Sequence, residues 1–402
     1  MTSHRLPLAL LASCALLSLA AASAAAKSWC AYPLIAHEWG VHVYSGDGRP
    51  VPPVDLPAHF HRATPSAPAA AAPAVRDLPA DSGVRALPVV HFYAPRLRGQ
   101  SVPLGLEVGF THGAAAVWFP AVDLRRSASE AQSPAAAAAR AVLLEARARR
   151  APFAPPGPAL PADPTRQLVW DRLDLTPEPS FAPPATATPW VTAARALGAL
   201  WVNGAAESER FVFYEAPTRE PLPLALRRGP TWGPGRRHLV LDNRGAHAVH
   251  DLLFVHREGG RAYVFFAPQI PAGASAGFLL EEHAAADPRA ATTGRLRDLL
   301  TDAASPAPPR DYAWDRDDCV MGRDPAQPVE HASGHRLFAG EVDLLLAAWG
   351  ARMFEAQGTT VVYREDPAAL DAAMPLSVYT DMFHFVTLRR AGLAVWEHVT
   401  LP

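Results

Sequence analysis

The 402-residue chain has little lysine, little net charge and few long apolar runs. Lys27 is its only lysine, so arginine supplies nearly all of the positive charge. The formal net charge is −2 and no basic block stands out, so the sequence gives no support for nucleic-acid binding. After the N-terminus no segment reaches the roughly 18 unbroken apolar residues typical of a membrane span. We therefore expect no transmembrane span once an N-terminal signal is removed.

The N-terminus has the pattern of an export signal. Arg5 supplies a positive charge, Leu6–Leu19 is almost wholly apolar, and small residues follow it. The pattern predicts a signal peptide over residues 1–26, cleaved after Ala24 or Ala26. The mature protein is then expected in the periplasm or outside the cell.

Two alternatives for the N-terminus remain open. The letters "LASC" ending at Cys14 match a lipobox, which would anchor the protein through a lipid. Residues 6–26 are also just long enough to stay uncleaved and span a bilayer of roughly 30 Å. Either alternative would keep the exported protein attached to a membrane.

Cysteine is also scarce, with three in the whole chain. Removal of the signal would leave Cys30 and Cys319. Two cysteines in an oxidising compartment favour one disulfide. The alternative is that Cys30 is free near the N-terminus and Cys319 sits in a loop.

Short apolar runs separated by turn residues fill the first two thirds of the chain. In "VHREGGRAY" the pair Gly259–Gly260 predicts a tight hairpin turn. The last third changes to a helical period, and Ala339–Gly358 carries an apolar stripe that ends on glycine. The sequence therefore predicts an α+β, β-rich fold. β-Sandwich-like strands would occupy the first two thirds, with helices and a mixed α+β segment in the C-terminal third.

Proline- and alanine-rich stretches divide the chain into regions. After the signal peptide, the predicted regions are an N-terminal β-rich region with Pro/Ala-rich insertions (27–150), a Pro-rich linker (151–165), a β-sandwich-like region (166–285) and a C-terminal α+β region (286–402). One helix is expected inside the N-terminal region, at about Pro134–Arg150, because a proline suits the first helical turn.

Histidine and glutamate are concentrated in "LIAHEWGVHVYSGDGRP", Leu34–Pro50. Side chains alternate along a strand, so His37 falls on the apolar face, and Glu38 and His42 share the other face. This geometry argues against a direct His37–Glu38 dyad. One interpretation is a buried strand, with His37 bonded to backbone and Glu38 paired with an arginine, for which Arg195 is a candidate. In the other, Glu38 and His42 line a pocket or hold a metal.

His91 and His112 lie in neighbouring apolar strands and extend the candidate set. The candidate pocket or metal residues are His37, Glu38, His42, His91 and His112. No HExxH motif is present and no cysteine pair has zinc spacing, so the sequence names no metal and no cofactor. "GASAG" around Ser275 matches the GxSxG pattern, but strand-like sequence follows it instead of a helix. That context favours a hairpin turn, and no catalytic residue is assigned.

The stretch "AHEWGVHVYSGDGRP" is similar to the opening of a family of uncharacterised secreted bacterial proteins whose mature N-terminus begins A-H-E-W-G. Three later stretches resemble the same family: "GLEVGFTHGAAAVWFPA", "SERFVFYEAPTREPLPL" and "LAAWGARMFEAQGTTVVYREDPAALDAAMPLSV". The chain departs from the family pattern at "VHVY", where a threonine-rich continuation is expected, and at "DCVMGRD", which looks like an insertion. The resemblance implies export and a shared fold, and it supplies no activity.

Two functions follow as expectations. The first is an exported, non-catalytic binding or structural module of the bacterial envelope, with an envelope protein or a small molecule as its partner. The second is a metal-assisted hydrolase with a site around Glu38 and His42, completed by His91 or His112. The second function requires these side chains to converge in one cleft.

Overall fold

The computed structural model describes residues 30–46, 55–63, 83–94, 101–126, 167–218, 220–231, 233–308, 320–321, 334–380 and 384–402. The predicted signal peptide, the predicted helix at Pro134–Arg150, the linker at 151–165, and Cys319 lie outside these residues. None of the helices within the described ranges combines the length and apolar character needed to cross a bilayer.

Strands dominate the described residues. They are β1 (Cys30–Ser45), β2 (His61–Arg62), β3 (Gly83–Tyr93), β4 (Val102–Gly109), β5 (Val117–Phe119), β6 (Leu124–Arg126), β7 (Gln167–Thr176), β8 (Trp201–Asn203), β9 (Ser208–Glu209), β10 (Val212–Thr218), β11 (Leu224–Arg228), β12 (His238–Asn243), β13 (Val249–Glu258), β14 (Arg261–Ile270), β15 (Ser275–Leu279), β16 (Val320–Met321), β17 (Gly358–Glu365), β18 (Leu376–Thr380) and β19 (His384–Glu397). The helices are α1 (Pro189–Arg195), α2 (Arg295–Leu300), α3 (Ala339–Phe354) and α4 (Pro367–Ala373), with a 3₁₀ turn at Leu280–His283 and a π-helical turn at Ala290–Gly294. This content confirms the predicted β-rich α+β fold class.

The strands form a large sheet of ten strands and two smaller sheets of six and three strands. β1 lies inside the large sheet, parallel to β19 on one side and antiparallel to β3 on the other. Strands from the three predicted regions other than the linker join this sheet. From β1 outwards, β3 and then β10 lie on one side, and β19, β17 and then β13 lie on the other. The sheet therefore unites distant parts of the chain around the His37–Glu38 segment.

The two faces of the large sheet are covered differently. One face packs on helices, where Trp39 of β1 shares a core with Leu345 and Trp349 of α3. The opposite face packs on the smaller sheets, where Ala36 of β1 shares a core with Leu106 of β4. Packing of one sheet on another is the sandwich-like arrangement expected from the short alternating strands.

Helix α3 buries the stripe predicted from its sequence, including Val342, Leu345 and Met353. It ends at Phe354, earlier than the predicted end at Gly358. Gly358 instead opens β17 with φ 93°, a left-handed conformation that glycine adopts without a steric cost. The chain can therefore turn sharply from the helix back into the large sheet.

The predicted hairpin turn and the predicted turn context of "GASAG" are both confirmed. Gly259 and Gly260 have φ values of 55° and 77° between β13 and β14. Ser275 begins strand β15, and its hydroxyl donates to Asp242 Oδ1 over 2.6 Å. A serine that opens a strand has no helix behind it to form a nucleophile elbow.

Candidate functional site

The alternation of β1 places two sets of polar side chains on opposite faces of the large sheet, as the sequence predicts. His37 points to the helix side with the core around Trp39, and Glu38 and His42 point to the sheet side with Ala36. We call His37, His91 and Glu341 the helix-side cluster, and His42, Arg85, Glu220 and Glu365 the sheet-side cluster. Six of the seven residues are buried, and Glu365 is of intermediate exposure with its side chain 9% exposed.

The helix-side cluster is built on one carboxylate. His37 Nδ1 lies 2.7 Å from Glu341 Oε2, and the backbone N–H of Phe338 donates to the same oxygen over 3.0 Å. His91 lies opposite His37 in the β1–β3 pairing, and its Nδ1 is 3.4 Å from Glu341 Oε1. The prediction that His37 bonds to backbone is therefore wrong. Its partner is a carboxylate at the start of α3, which the apolar stripe of that helix holds against the sheet.

The charge of Glu341 is kept by its two histidines. Burial by itself would raise the pKa of this carboxyl, but His37 and His91 outweigh burial and hold the pKa at about 2. The ring of Phe338 lies 4.6 Å from that of His37, centroid to centroid. The cluster is thus a buried histidine–carboxylate site that packs against an aromatic ring.

Glu38 is held by two side chains on the sheet side. The Tyr214 hydroxyl donates to Glu38 Oε1, and Arg390 Nε donates to Glu38 Oε2. Arg390 also donates to Asp371 Oδ1 over 2.5 Å and to the Met374 carbonyl over 2.8 Å. Burial, and then the Glu38 charge, raise the pKa of Tyr214, so its phenol keeps the proton that it donates.

The prediction that Glu38 pairs with an arginine is confirmed, but the suggested Arg195 is the wrong arginine. Glu38 lies opposite Arg390 in the parallel β1–β19 register, which brings the two side chains together. Arg195 instead binds Glu209, with Nη2 2.7 Å from Oε2.

The sheet-side cluster centres on Arg85. Its guanidinium reaches Glu220 through Nε over 3.0 Å and Nη2 over 2.5 Å. It reaches Glu365 through Nη1 over 3.0 Å and Nη2 over 3.1 Å. Burial would raise the pKa of the Glu365 carboxyl, but Arg85 and then His42 outweigh burial and hold the pKa at about 2. Arg85 likewise lowers the pKa of Glu220 against the effect of burial.

His42 completes the sheet-side cluster. Its Nε2 lies 3.1 Å from Thr218 Oγ1, and that hydroxyl donates to the Gly83 carbonyl over 3.4 Å. His42 Nδ1 lies 3.6 Å from Glu220 Oε2 and 3.8 Å from Glu365 Oε1. Three atoms with the chemistry of metal ligands therefore face one another.

Two glycines allow this close approach. A Cβ on Gly83 would lie 2.3 Å from His42 Nε2, and a Cβ on Gly392 would lie 2.7 Å from Glu365 Oε2. Any larger residue at either position would displace the imidazole or the carboxylate.

A small cavity joins Glu38 to the sheet-side cluster. Glu38, Arg85 and Glu365 line a space of about 10 Å³ beside Gly392. This volume suits about one water molecule. In this conformation the cavity has no room for an organic substrate.

The five candidate residues from the sequence do not converge in one cleft. Glu38 and His42 share a face and lie beside Arg85 and Glu365, as described above. The structure places His37 and His91 across the sheet with Glu341. His112 is exposed in a bend between β4 and β5, so the prediction that it lies in an apolar strand is wrong. A site formed by Glu38, His42 and either His91 or His112 is therefore not present in this structure.

The sequence reasoning missed the partners: Arg85, Glu220, Glu341, Glu365 and Arg390. A signal for several of them exists, because charged residues interrupt apolar strands in "GVRALPVVHFY", "TTVVYRE" and "FVTLRRAGLAVW". A charge inside a buried strand requires an opposite charge or a hydrogen-bonding partner nearby.

No protein-family model matches the chain, and no curated protein matches it. Among solved structures, it is similar to "Fcho1 Mu homology domain (Danio Rerio) with bound Eps15 peptide". That match covers 93% of this chain and 97% of the other, at 7% identity and a TM-score of 0.28. A likeness at this level is too weak to transfer a fold or a function.

Proposed function

We propose that this chain is exported and serves as a non-catalytic binding or structural module of the bacterial envelope. The observation that carries the proposal is the engagement of Glu38 by Tyr214 and Arg390, next to a cavity of about 10 Å³. The carboxylate of Glu38, in the A-H-E-W-G stretch, thereby links β1 to β10 and β19 inside the protein. Such a residue supports the fold, and the partner would bind elsewhere on the surface.

Export to an oxidising compartment is part of the proposal. It is supported by the N-terminal sequence pattern and by the resemblance to a secreted family. A Cys30–Cys319 disulfide is proposed with it, because two cysteines in an oxidising compartment favour one bridge. N-terminal sequencing and non-reducing peptide mapping of the protein secreted by a bacterial host test both statements. We expect cleavage after Ala24 or Ala26 and a linked Cys30–Cys319 peptide.

Turnover assays on Glu38→Gln test the absence of catalysis. The mature protein is assayed on chromogenic esters, phosphomonoesters, glycosides and peptides, with and without Zn²⁺ or Mn²⁺. We expect no saturable turnover from the wild type, and a lower melting temperature in Glu38→Gln because Arg390 loses a charged partner. Glu355→Gln, at an exposed position after α3, is the matched control and should melt like the wild type. Saturable turnover that disappears in a folded Glu38→Gln variant would overturn the proposal.

The second candidate function is a metal-assisted hydrolase. It is favoured by one observation, the convergence of ligand atoms from His42, Glu220 and Glu365 with Glu38 beside them. Hydrolysis would require the small cavity to open so that a substrate could reach the metal. Metal-dependent turnover that is lost in His42→Gln would select this function over the first.

A further inference from the structure

We infer that the sheet-side cluster binds one divalent transition-metal ion, of the zinc or manganese class, through His42 Nδ1, Glu220 Oε2 and Glu365 Oε1. This inference goes beyond the proposed function, because a metal at this position can fasten strands together without any turnover. It rests on the geometry of His42, the charge of the cluster and the two glycines that make room for it.

The hydrogen bonds of His42 orient its ring. The Thr218 hydroxyl donates its proton to the Gly83 carbonyl, so the same oxygen accepts from His42 Nε2–H. His42 Nδ1 points away from this bond, is fully buried and has no hydrogen-bond partner among the described residues, so in the neutral imidazole it offers a lone pair. Metal-binding histidines typically donate their second ring N–H to an oxygen in this way, which fixes the ring.

The distances around His42 Nδ1 support the same site. The carboxylate oxygens at 3.6 and 3.8 Å are too far away for a hydrogen bond, so a proton on Nδ1 would not satisfy the site. Facing lone pairs repel each other unless a cation lies between them. Two ligand atoms bound about 2.1 Å from a tetrahedral metal lie about 3.4 Å apart, which is close to the observed separations.

The fixed charges of the cluster do not cancel. Glu220 and Glu365 bring two negative charges and Arg85 one positive charge, so the carboxylates exceed the guanidinium by one negative charge. Buried charges are normally paired or coordinate metals. Arg85 Nη2 donates to the same two oxygens, Glu220 Oε2 and Glu365 Oε1. Each carboxylate oxygen has two lone pairs, so it can accept from Arg85 and still bind a metal ion.

The ligand set determines the class of metal. One imidazole with two carboxylates suits zinc and manganese, whereas calcium prefers six or more oxygens. The adjoining cavity of about 10 Å³ could take one further oxygen ligand in the form of water.

The test is metal binding to the full-length mature protein after chelator treatment and dialysis. Zn²⁺, Mn²⁺ and Ca²⁺ are titrated separately by calorimetry, and bound metal is counted by elemental analysis. We expect one equivalent of Zn²⁺ or Mn²⁺, with Ca²⁺ bound at least roughly tenfold more weakly. In His42→Gln the affinity should fall by roughly 100-fold or more, whereas the control His250→Gln, which alters a histidine paired with Asp366, should bind like the wild type.

Thr218→Val is a second variant that keeps the test decisive if His42→Gln does not fold. Valine keeps the size of threonine but removes the oxygen that orients His42, so affinity should fall roughly 10- to 100-fold with one equivalent still bound. Absence of Zn²⁺ and Mn²⁺ binding by the folded wild type, or equal affinity in folded His42→Gln, would overturn the inference. Binding without turnover would leave the proposed non-catalytic function intact, so the two proposals can fail independently.

Discussion

The helix-side and sheet-side clusters both place histidine and glutamate side chains inside the protein, but they balance the carboxylate charge in different ways. Both are buried against β1 and both contain histidine and glutamate. On the helix side, a single carboxylate is approached by two imidazoles, the nearer at 2.7 Å. On the sheet side, the carboxylates of Glu220 and Glu365 share the Arg85 guanidinium. His42 Nδ1 lies 3.6 Å from the nearer Glu220 oxygen and 3.8 Å from the nearer Glu365 oxygen.

The difference in distance separates a structural ion pair from a candidate binding site. A proton between His37 Nδ1 and Glu341 Oε2 satisfies those two atoms, although His37 Nε2, both ring nitrogens of His91 and Glu341 Oε1 are buried without a hydrogen-bond partner among the described residues. His42 Nδ1 is too far from either oxygen for a proton to do the same. A histidine close to a carboxylate therefore does not by itself identify a metal site. A metal site is better indicated when the imidazole is oriented by another hydrogen bond and its free nitrogen lies too far from the carboxylates to hydrogen-bond them.

The largest expected effect comes from removing the guanidinium of the sheet-side cluster. Arg85→Met leaves Glu220 and Glu365 buried without a cation, which should lower the free energy of unfolding by about 3–5 kcal/mol at pH 7. Urea denaturation followed by tryptophan fluorescence measures it. Arg227→Met removes the exposed Arg227–Asp242 pair and should cost no more than about 1 kcal/mol. Equal losses in the two variants would contradict the buried role of Arg85.

The helix-side cluster should show a smaller loss with a distinct pH dependence. Glu341→Gln removes its one carboxylate and should lower the free energy of unfolding by about 3 kcal/mol at pH 7. The pKa of Glu341 is about 2 in the folded protein, below its ordinary value of 4.5. Its contribution is therefore full above pH 4.5 and lost as the pH falls from 4.5 towards 2.

Denaturation curves from pH 7 down to pH 3 should accordingly bring Glu341→Gln and the wild type closer together. Glu355→Gln, with an exposed carboxylate beyond α3, is the matched control on the same segment and should follow the wild type throughout. A gap between Glu341→Gln and wild type that widens towards pH 3 would contradict the charge assignment in the helix-side cluster.

The smallest expected change in stability is at Glu215, a carboxylate whose charge is only partly balanced by a nearby arginine. Burial raises the pKa of Glu215 to about 7, and Arg62 offsets only part of this rise. Folding then favours the protonated form, so the ionised group costs stability progressively as pH rises from 4.5 through 7. Glu215 is only partly buried, and solvent screening reduces the effect, so Glu215→Gln should stabilise the protein by about 1–2 kcal/mol at pH 8 and have no effect near pH 4. Thermal melts at both values measure this, and a loss of stability at pH 8 would count against it.

Local patterns predicted much of the fold and part of the site. Alternation along β1 separated His37 from Glu38 and put Glu38 with His42, and the apolar stripe marked α3. These features depend only on the spacing of residues near one another in the chain, which can be read from a single sequence. Charged residues inside apolar strands carry a further signal for buried partners, but no partner was predicted from them.

The identity of those partners depends on topology. Arg390 reaches Glu38 across 352 residues of sequence because β19 enters the large sheet parallel to β1. Glu341 reaches His37 because α3 packs on the helix-side face of that sheet. Many strand orders are compatible with the same alternation of side chains. The sequence pattern therefore suggested Arg195 as the partner of Glu38, whereas the β1–β19 register brings Arg390 to that position.

The parallel pairing of β1 with β19 also sets the order of events during synthesis. β1 is made early but gains its β19 neighbour only after nearly the whole chain has emerged, and closing so long a loop is slow because its entropic cost precedes any contact. The middle of the large sheet is thus the last part to be completed. A nascent chain therefore lacks one strand neighbour of β1 until β19 is free to pair with it.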